Sequence, residues 1–179
     1  MAETFINNLT RAAGSVTSKT GSAVGAASTE ITVSANTGIV VGNLIDHPNY
    51  IGGTKVAYIV GTTIKADRVS TNAGSLTGQT VKFLGVSTSY TSPSSVKSIL
   101  IGGTFANNTT SRVELTVEVY DNSTSVGVGL ASKIPVPAGS SFVISEAGKT
   151  VLEGNDEIRI YCNTANAIDA NLSILKGVA

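Results

Sequence analysis

The sequence predicts an all-β protein, and three observations carry that expectation. Val113, Leu115, Val117 and Val119 alternate with Arg112, Glu114, Thr116 and Glu118, the period-2 pattern of a strand with one buried and one wet face. Short apolar runs recur between turn-forming residues at spacings of roughly 8–12 residues, as in sandwiches and barrels. No long stretch has a helical period; the nearest is a weak one from Thr4 to Ala13.

Composition narrows the function classes. Of 179 residues, 41% are apolar, enough to build a core, while only 13% are charged, against roughly 25% in an average soluble protein. Twelve Lys and Arg balance twelve Asp and Glu, so no bulk attraction draws the chain to nucleic acid or an anionic membrane. No basic cluster is interleaved with aromatic residues, and neither nucleic acid nor membrane is an expected partner. No apolar run approaches the roughly 20 residues of a membrane span. Met1-Ala2-Glu3-Thr4-Phe5 has no basic region leading into an apolar one, so no secretory signal is expected. A single Cys excludes an intrachain disulfide framework and a Cys-based zinc site. One His, no Trp, 43 Ser and Thr and 19 Gly leave few parts for catalysis.

Taken in order, residues 1–28 stand apart. They are rich in Ala, Gly, Ser and Thr, and Phe5, Ile6, Leu9, Val16 and Val24 are their only large apolar residues. So little apolar surface cannot offset the entropy of ordering, so an N-terminal extended arm is expected. It is either a flexible tail or a segment that orders on a neighbouring subunit, with Phe5, Ile6 and Leu9 as subunit-contact anchors.

Residues 29–86 read as a small barrel-like β module. Its strands are Glu30–Val33, Val40–Ile45, Lys55–Val60, Thr63–Ala66 and Gln79–Leu84, with Gly61-Thr62 as a two-residue hairpin turn. Residues 87–179 read as an antiparallel β-sandwich, jelly-roll-like. To the alternating strand at 113–119 they add Phe142–Ile144, Thr150–Leu152, Glu157–Cys162 and Ile168–Leu175. Pro135-Val136-Pro137 suits an edge or a corner, because proline cannot donate to a ladder.

Four groups of residues are candidates for chemistry. His47, in Asp46-His47-Pro48-Asn49, lacks a second His and reads as a loop residue rather than a base or metal ligand. Glu153-Gly154-Asn155-Asp156-Glu157 lacks the alternate spacing of a calcium loop and reads as a tight turn. Cys162, in phase with Ile158 and Ile160, reads as a buried apolar residue. Gly127-Val128-Gly129 lacks the third glycine of a dinucleotide loop. No catalytic, cofactor-binding or metal residue is assigned, no cofactor is expected, and the expected protein is not an enzyme.

Several strings carry a resemblance. Val41-Gly42-Asn43-Leu44-Ile45, Ile51-Gly52-Gly53-Thr54-Lys55-Val56 and Asp67-Arg68-Val69-Ser70-Thr71-Asn72 resemble a β module of tailed-phage virion proteins. Lys97-Ser98-Ile99-Leu100, Thr116-Val117-Glu118-Val119-Tyr120-Asp121, Ile134-Pro135-Val136-Pro137-Ala138-Gly139-Ser140 and Lys149-Thr150-Val151-Leu152-Glu153-Gly154-Asn155-Asp156 resemble a phage virion β-sandwich. The likeness is to structural proteins of cyanobacterial, mainly marine, phages, and it does not cover the first 28 residues.

The resemblance implies a virion component, assembled in the bacterial cytoplasm. The expected function is a capsid decoration or cement protein on the outside of the head, a homo-oligomer whose partner is the major capsid protein. The alternatives are a neck, collar or tail accessory (fibre-adaptor) protein, partnered by neck or tail proteins, or a carbohydrate-binding adsorption module. The last is short of aromatic platforms, with five Tyr and no Trp.

Overall fold

A computed structural model describes residues 3–22, 27–71, 77–145 and 149–178. Among them every regular element is a strand, and all strand pairs are antiparallel. The chain divides into two compact units: Met1–Gly14 together with Ser87–Ala179, and Ser15–Val86.

The larger unit is a sandwich. Its strands along the chain are β1 (Thr4–Ala13), β8 (Ser87–Thr91), β9 (Lys97–Asn107), β10 (Val113–Asp121), β11 (Val126–Val136), β12 (Ser141–Ile144), β13 (Thr150–Leu152), β14 (Glu157–Cys162) and β15 (Ile168–Val178). One sheet has the order β1-β15-β9-β12, with β13 also pairing β9; the other has β11-β10-β14-β8. Counting β12 and β13 as one interrupted strand, the first strand pairs the eighth, the second the seventh, the third the sixth and the fourth the fifth. A folded ribbon wound into two sheets produces this nesting, which is the strand order of a jelly roll. Between the sheets lie Leu100, Phe105, Leu115, Val117, Leu152, Ile158, Ile160, Cys162, Leu172 and Ile174, all buried.

The first 28 residues are not an arm. Residues 1–2 and 23–26 lie outside the described residues; the rest supply β1 to the sandwich and β2 (Ser15–Ser22) to the smaller unit. β1 runs along β15 from Thr4↔Lys176 to Ala13↔Ile168. The weak helical period at 4–13 is therefore overruled. Entropy did not leave β1 loose, because two of its inward positions, Asn8 and Thr10, bond across to β8, while Ile6 and Ala13 pack on the sandwich core. Asn8 Nδ2 donates to the Ser89 carbonyl, and the Thr10 and Ser89 hydroxyls are 2.7 Å apart. The smaller unit is thus an insertion between the first two strands of the sandwich. The chain leaves the sandwich at Gly14, whose φ of 120° favours glycine and where a Cβ would crowd the Thr164 carbonyl.

The inserted unit holds β2, β3 (Glu30–Val33), β4 (Leu44–Asp46), β5 (Val56–Val60), β6 (Thr63–Ala66) and β7 (Thr80–Gly85), in the order β4-β7-β2-β3-β6-β5. The sheet does not close into a barrel. β4 meets the start of β5 through the single bridge Leu44↔Lys55 and the hydrogen bonds Ile45 N–H to Thr54 O and Val56 N–H to Asn43 O. Ile31, Ile45, Tyr50, Val56, Ile64, Val81 and Phe83 form its core. The expected strand from Val40 is shortened to begin at Leu44. The Asn43 side chain accepts from Val40 N–H while Asn43 N–H donates back to Val40 O, which folds the two exposed valines into a turn.

Candidate interaction surface

The two sheets of the sandwich differ on the faces turned away from their shared core. On β1 the alternation turns Phe5, Asn7, Leu9 and Arg11 outward, and Phe5 and Leu9 are 73% and 74% exposed. Ile6 points the other way and packs on the sandwich core, so it cannot serve as an external anchor with the other two.

Register carries the apolar surface across the sheet. Phe5 lies opposite Leu175, Leu175 opposite Ile99, and Ile99 opposite Val151. Facing residues on paired strands share a face, so these four make one apolar row across four strands. A second row runs Leu9, Asn171, Thr104, Val143. Beside Leu9, a shallow depression of about 370 Å³ is lined by Arg11, Thr104, Ala106, Asp169 and Asn171. Asp169 Oδ1 accepts Ala12 N–H at 2.8 Å, fixing the bulge that ends this stretch of β1.

The corresponding face of the second sheet is polar and satisfied. Thr116 and Glu118, expected on a wet face, are buried, with Glu118 only 4% exposed. The Thr116 hydroxyl accepts Lys133 N–H, and the Tyr161 hydroxyl makes a long bond of 3.4 Å to Glu118 Oε1. Gly127 faces Glu118; a Cβ there would overlap its carboxylate. Arg159 lies 3.3 Å from the Tyr120 ring centroid and donates from Nε to Glu157 at 2.7 Å. Burial opposes the Arg159 charge, but the hydrogen bond and charge of Glu157 outweigh it, and the guanidinium pKa rises. Burial first, and the Glu118 charge second, push the Tyr161 hydroxyl up. It therefore stays neutral as a donor to Glu118.

The remaining candidates have structural settings. His47 Nδ1 accepts Asn49 N–H at 3.1 Å, which puts the ring proton on Nε2, 2.8 Å from Gln79 Oε1. Both nitrogens are engaged. Asp156 Oδ1 and Oδ2 accept Asn122 N–H and Glu153 N–H, tying two turns together. Cys162 is wholly buried in the sandwich core. The Tyr50 hydroxyl is buried with no partner among the described residues, and desolvation pushes it up to about 12. Among the described residues no cluster of three or more His, Cys, Asp or Glu could hold a metal ion.

Phe5 and Leu9 are the sequence-expected contact residues that the fold brings together. Ile99, Leu175, Val143 and Val151 complete the surface and were missed, because the row joins strands distant in sequence. One signal was available. Ile99-Leu100-Ile101 places apolar side chains on both faces of its strand, which a half-wet strand does not need. No family model, curated protein or solved structure matches the chain.

Proposed function

We propose that this chain is a non-enzymatic structural protein of a tailed-phage virion, a decoration or cement protein seated on the outside of the capsid. The outward apolar row Phe5–Leu175–Ile99–Val151, exposed at Phe5 and Val151 and half-buried at Leu175 and Ile99, carries this reading. Cement adds contact area between lattice subunits and needs no chemistry. An apolar row on a stiff sheet supplies that area without the ordering cost of a flexible arm. The resemblance of the 41–72 and 97–156 strings to virion proteins supports the same reading. The partner is the major capsid protein, and the contact is made by a sheet face rather than by a tail.

The test is the number of copies per virion, together with a map of where they sit. Roughly hundreds of copies spread over the head support decoration, whereas about a dozen or fewer in one ring place the chain on the neck or tail. A glycan array that retains the isolated protein would instead support host adsorption.

A further inference from the structure

We infer that the outer edge of β11, from Val126 to Gly129, is a strand-addition site for the same edge of a second copy of this chain. This inference does not depend on the virion reading.

An open sheet edge is a row of main-chain donors and acceptors, and proteins blunt such edges with short strands, charges, prolines, bulges or cover. The sandwich has four edges, and most of their length is blunted. At β1 and β8, Asn8 and Thr10 reach Ser89 and staple one sheet to the other. At the opposite end of the first sheet, the edge is broken into β12 and β13, of four and three residues. From Leu130 onward β11 carries Pro135 and two register shifts, one of them between Gly129 and Ala131, and Lys133 sits at a φ of 50°. Val126 to Gly129, paired residue for residue with Asp121 to Glu118, carries none of these devices. Val126-Gly127-Val128-Gly129 has no charge and no proline. Among the described residues, no main-chain hydrogen bond outside the sheet ladder reaches it.

Its side chains favour pairing too. Val128 lies opposite Val119 and Ala131 opposite Val117, so the valines stand on the core side of the sheet. Val128 is nevertheless 63% exposed, because the layer ends there. A strand added at this edge would extend the sheet and continue the apolar layer together.

The occupant is a second copy for reasons of symmetry and charge. The open segment is uncharged and self-similar, with Asp121 before it and Lys133 after it. Antiparallel self-pairing about a twofold axis near Val128 brings the acidic end of one copy towards the basic end of the other. Parallel pairing would set like charges side by side.

The test uses the full chain. In sedimentation velocity, the wild type is expected to dimerise with rising concentration, and Val128→Lys is expected to stay monomeric with an unchanged melt. A wild type that stays monomeric throughout, or a Val128→Lys variant that dimerises equally well, overturns the inference. A second variant guards against misfolding. Under mild oxidation Val128→Cys is expected to form a reducible dimer, since Cys162 is buried, while Val151→Cys on the other sheet is not. Cross-linking through Val151→Cys alone would show that copies meet on the apolar face instead, and would overturn it.

Discussion

The outer faces of the two sandwich sheets share one core but solve opposite problems. On the β11-β10-β14-β8 sheet, polar outward side chains are buried or half-buried and bonded: Thr116 to the Lys133 N–H, Tyr161 to Glu118, and the Arg159–Glu157 pair over Tyr120. The β1-β15-β9-β12 sheet instead leaves large apolar side chains open beside polar ones: Phe5, Leu9, Val143 and Val151. The first face is committed to the fold. The second leaves apolar area in water that folding does not use, and such area is a mark of an interface. Substitutions on the first face should therefore damage stability, and those on the second should damage binding.

The largest effect separates the strand that carries the open face from the side chains on it. Removing residues 1–13 takes away β1 and exposes the edge of β15. The loss should reach several kcal/mol, comparable with the roughly 5–15 kcal/mol that holds a domain folded. Dispersed methyl resonances of Leu100, Leu115 and Ile160 should collapse; if they persist, β1 is dispensable and the first residues act as a tail after all.

Gly127→Ala comes next. It drives a Cβ into the Glu118 carboxylate, and denaturant melts should show a loss of about 1–3 kcal/mol. An unchanged melt would mean that the polar face yields easily. Tyr161→Phe removes one long hydrogen bond to a buried carboxylate and should cost about 1 kcal/mol. A neutral result would assign Glu118 to its other partners.

The smallest effect lies at the β10–β11 turn, away from both faces. Side-chain hydrogen bonds from Ser123 and Thr124, with help from their N–H groups, hold the Asp121 carboxyl at about 2, below the ordinary 3.8. The folded state therefore favours the charged form. That contribution is present above about pH 4 and is lost as pH falls towards 2. Asp121→Asn should flatten the acid limb slightly, lowering stability a little at neutral pH and leaving it unchanged near pH 2. An identical acid limb would show that the turn does not depend on the charge.

The sequence revealed much of both units and little of the sandwich's first strand. Thr63–Ala66, Thr150–Leu152 and Glu157–Cys162 are strands with the expected bounds, because alternation or short apolar runs between turn-formers mark them. β1 was hidden because two of its inward positions are Asn8 and Thr10, which pair through hydrogen bonds that a hydrophobic pattern cannot show. The alternation at 113–119 gave the correct phase, with Val117 in the core, but not the environment of the other face. Glu118 is buried there against Tyr161, from a strand about 40 residues downstream. Phe5 and Leu9 were legible as unused apolar residues. Their neighbours Leu175, Ile99 and Val151 became legible only once register placed four strands side by side.

The most direct measurement is co-sedimentation of the Phe5→Ser, Leu9→Ser double variant with virus particles that lack this protein, beside the wild type. Both side chains are exposed, so the melt should move by less than about 1 kcal/mol. Each side chain contributes about 1.5–3 kcal/mol if buried on a partner, so affinity should fall by more than about tenfold. Equal binding by the two proteins, with equal melts, would contradict the assignment of the open face as the surface that docks.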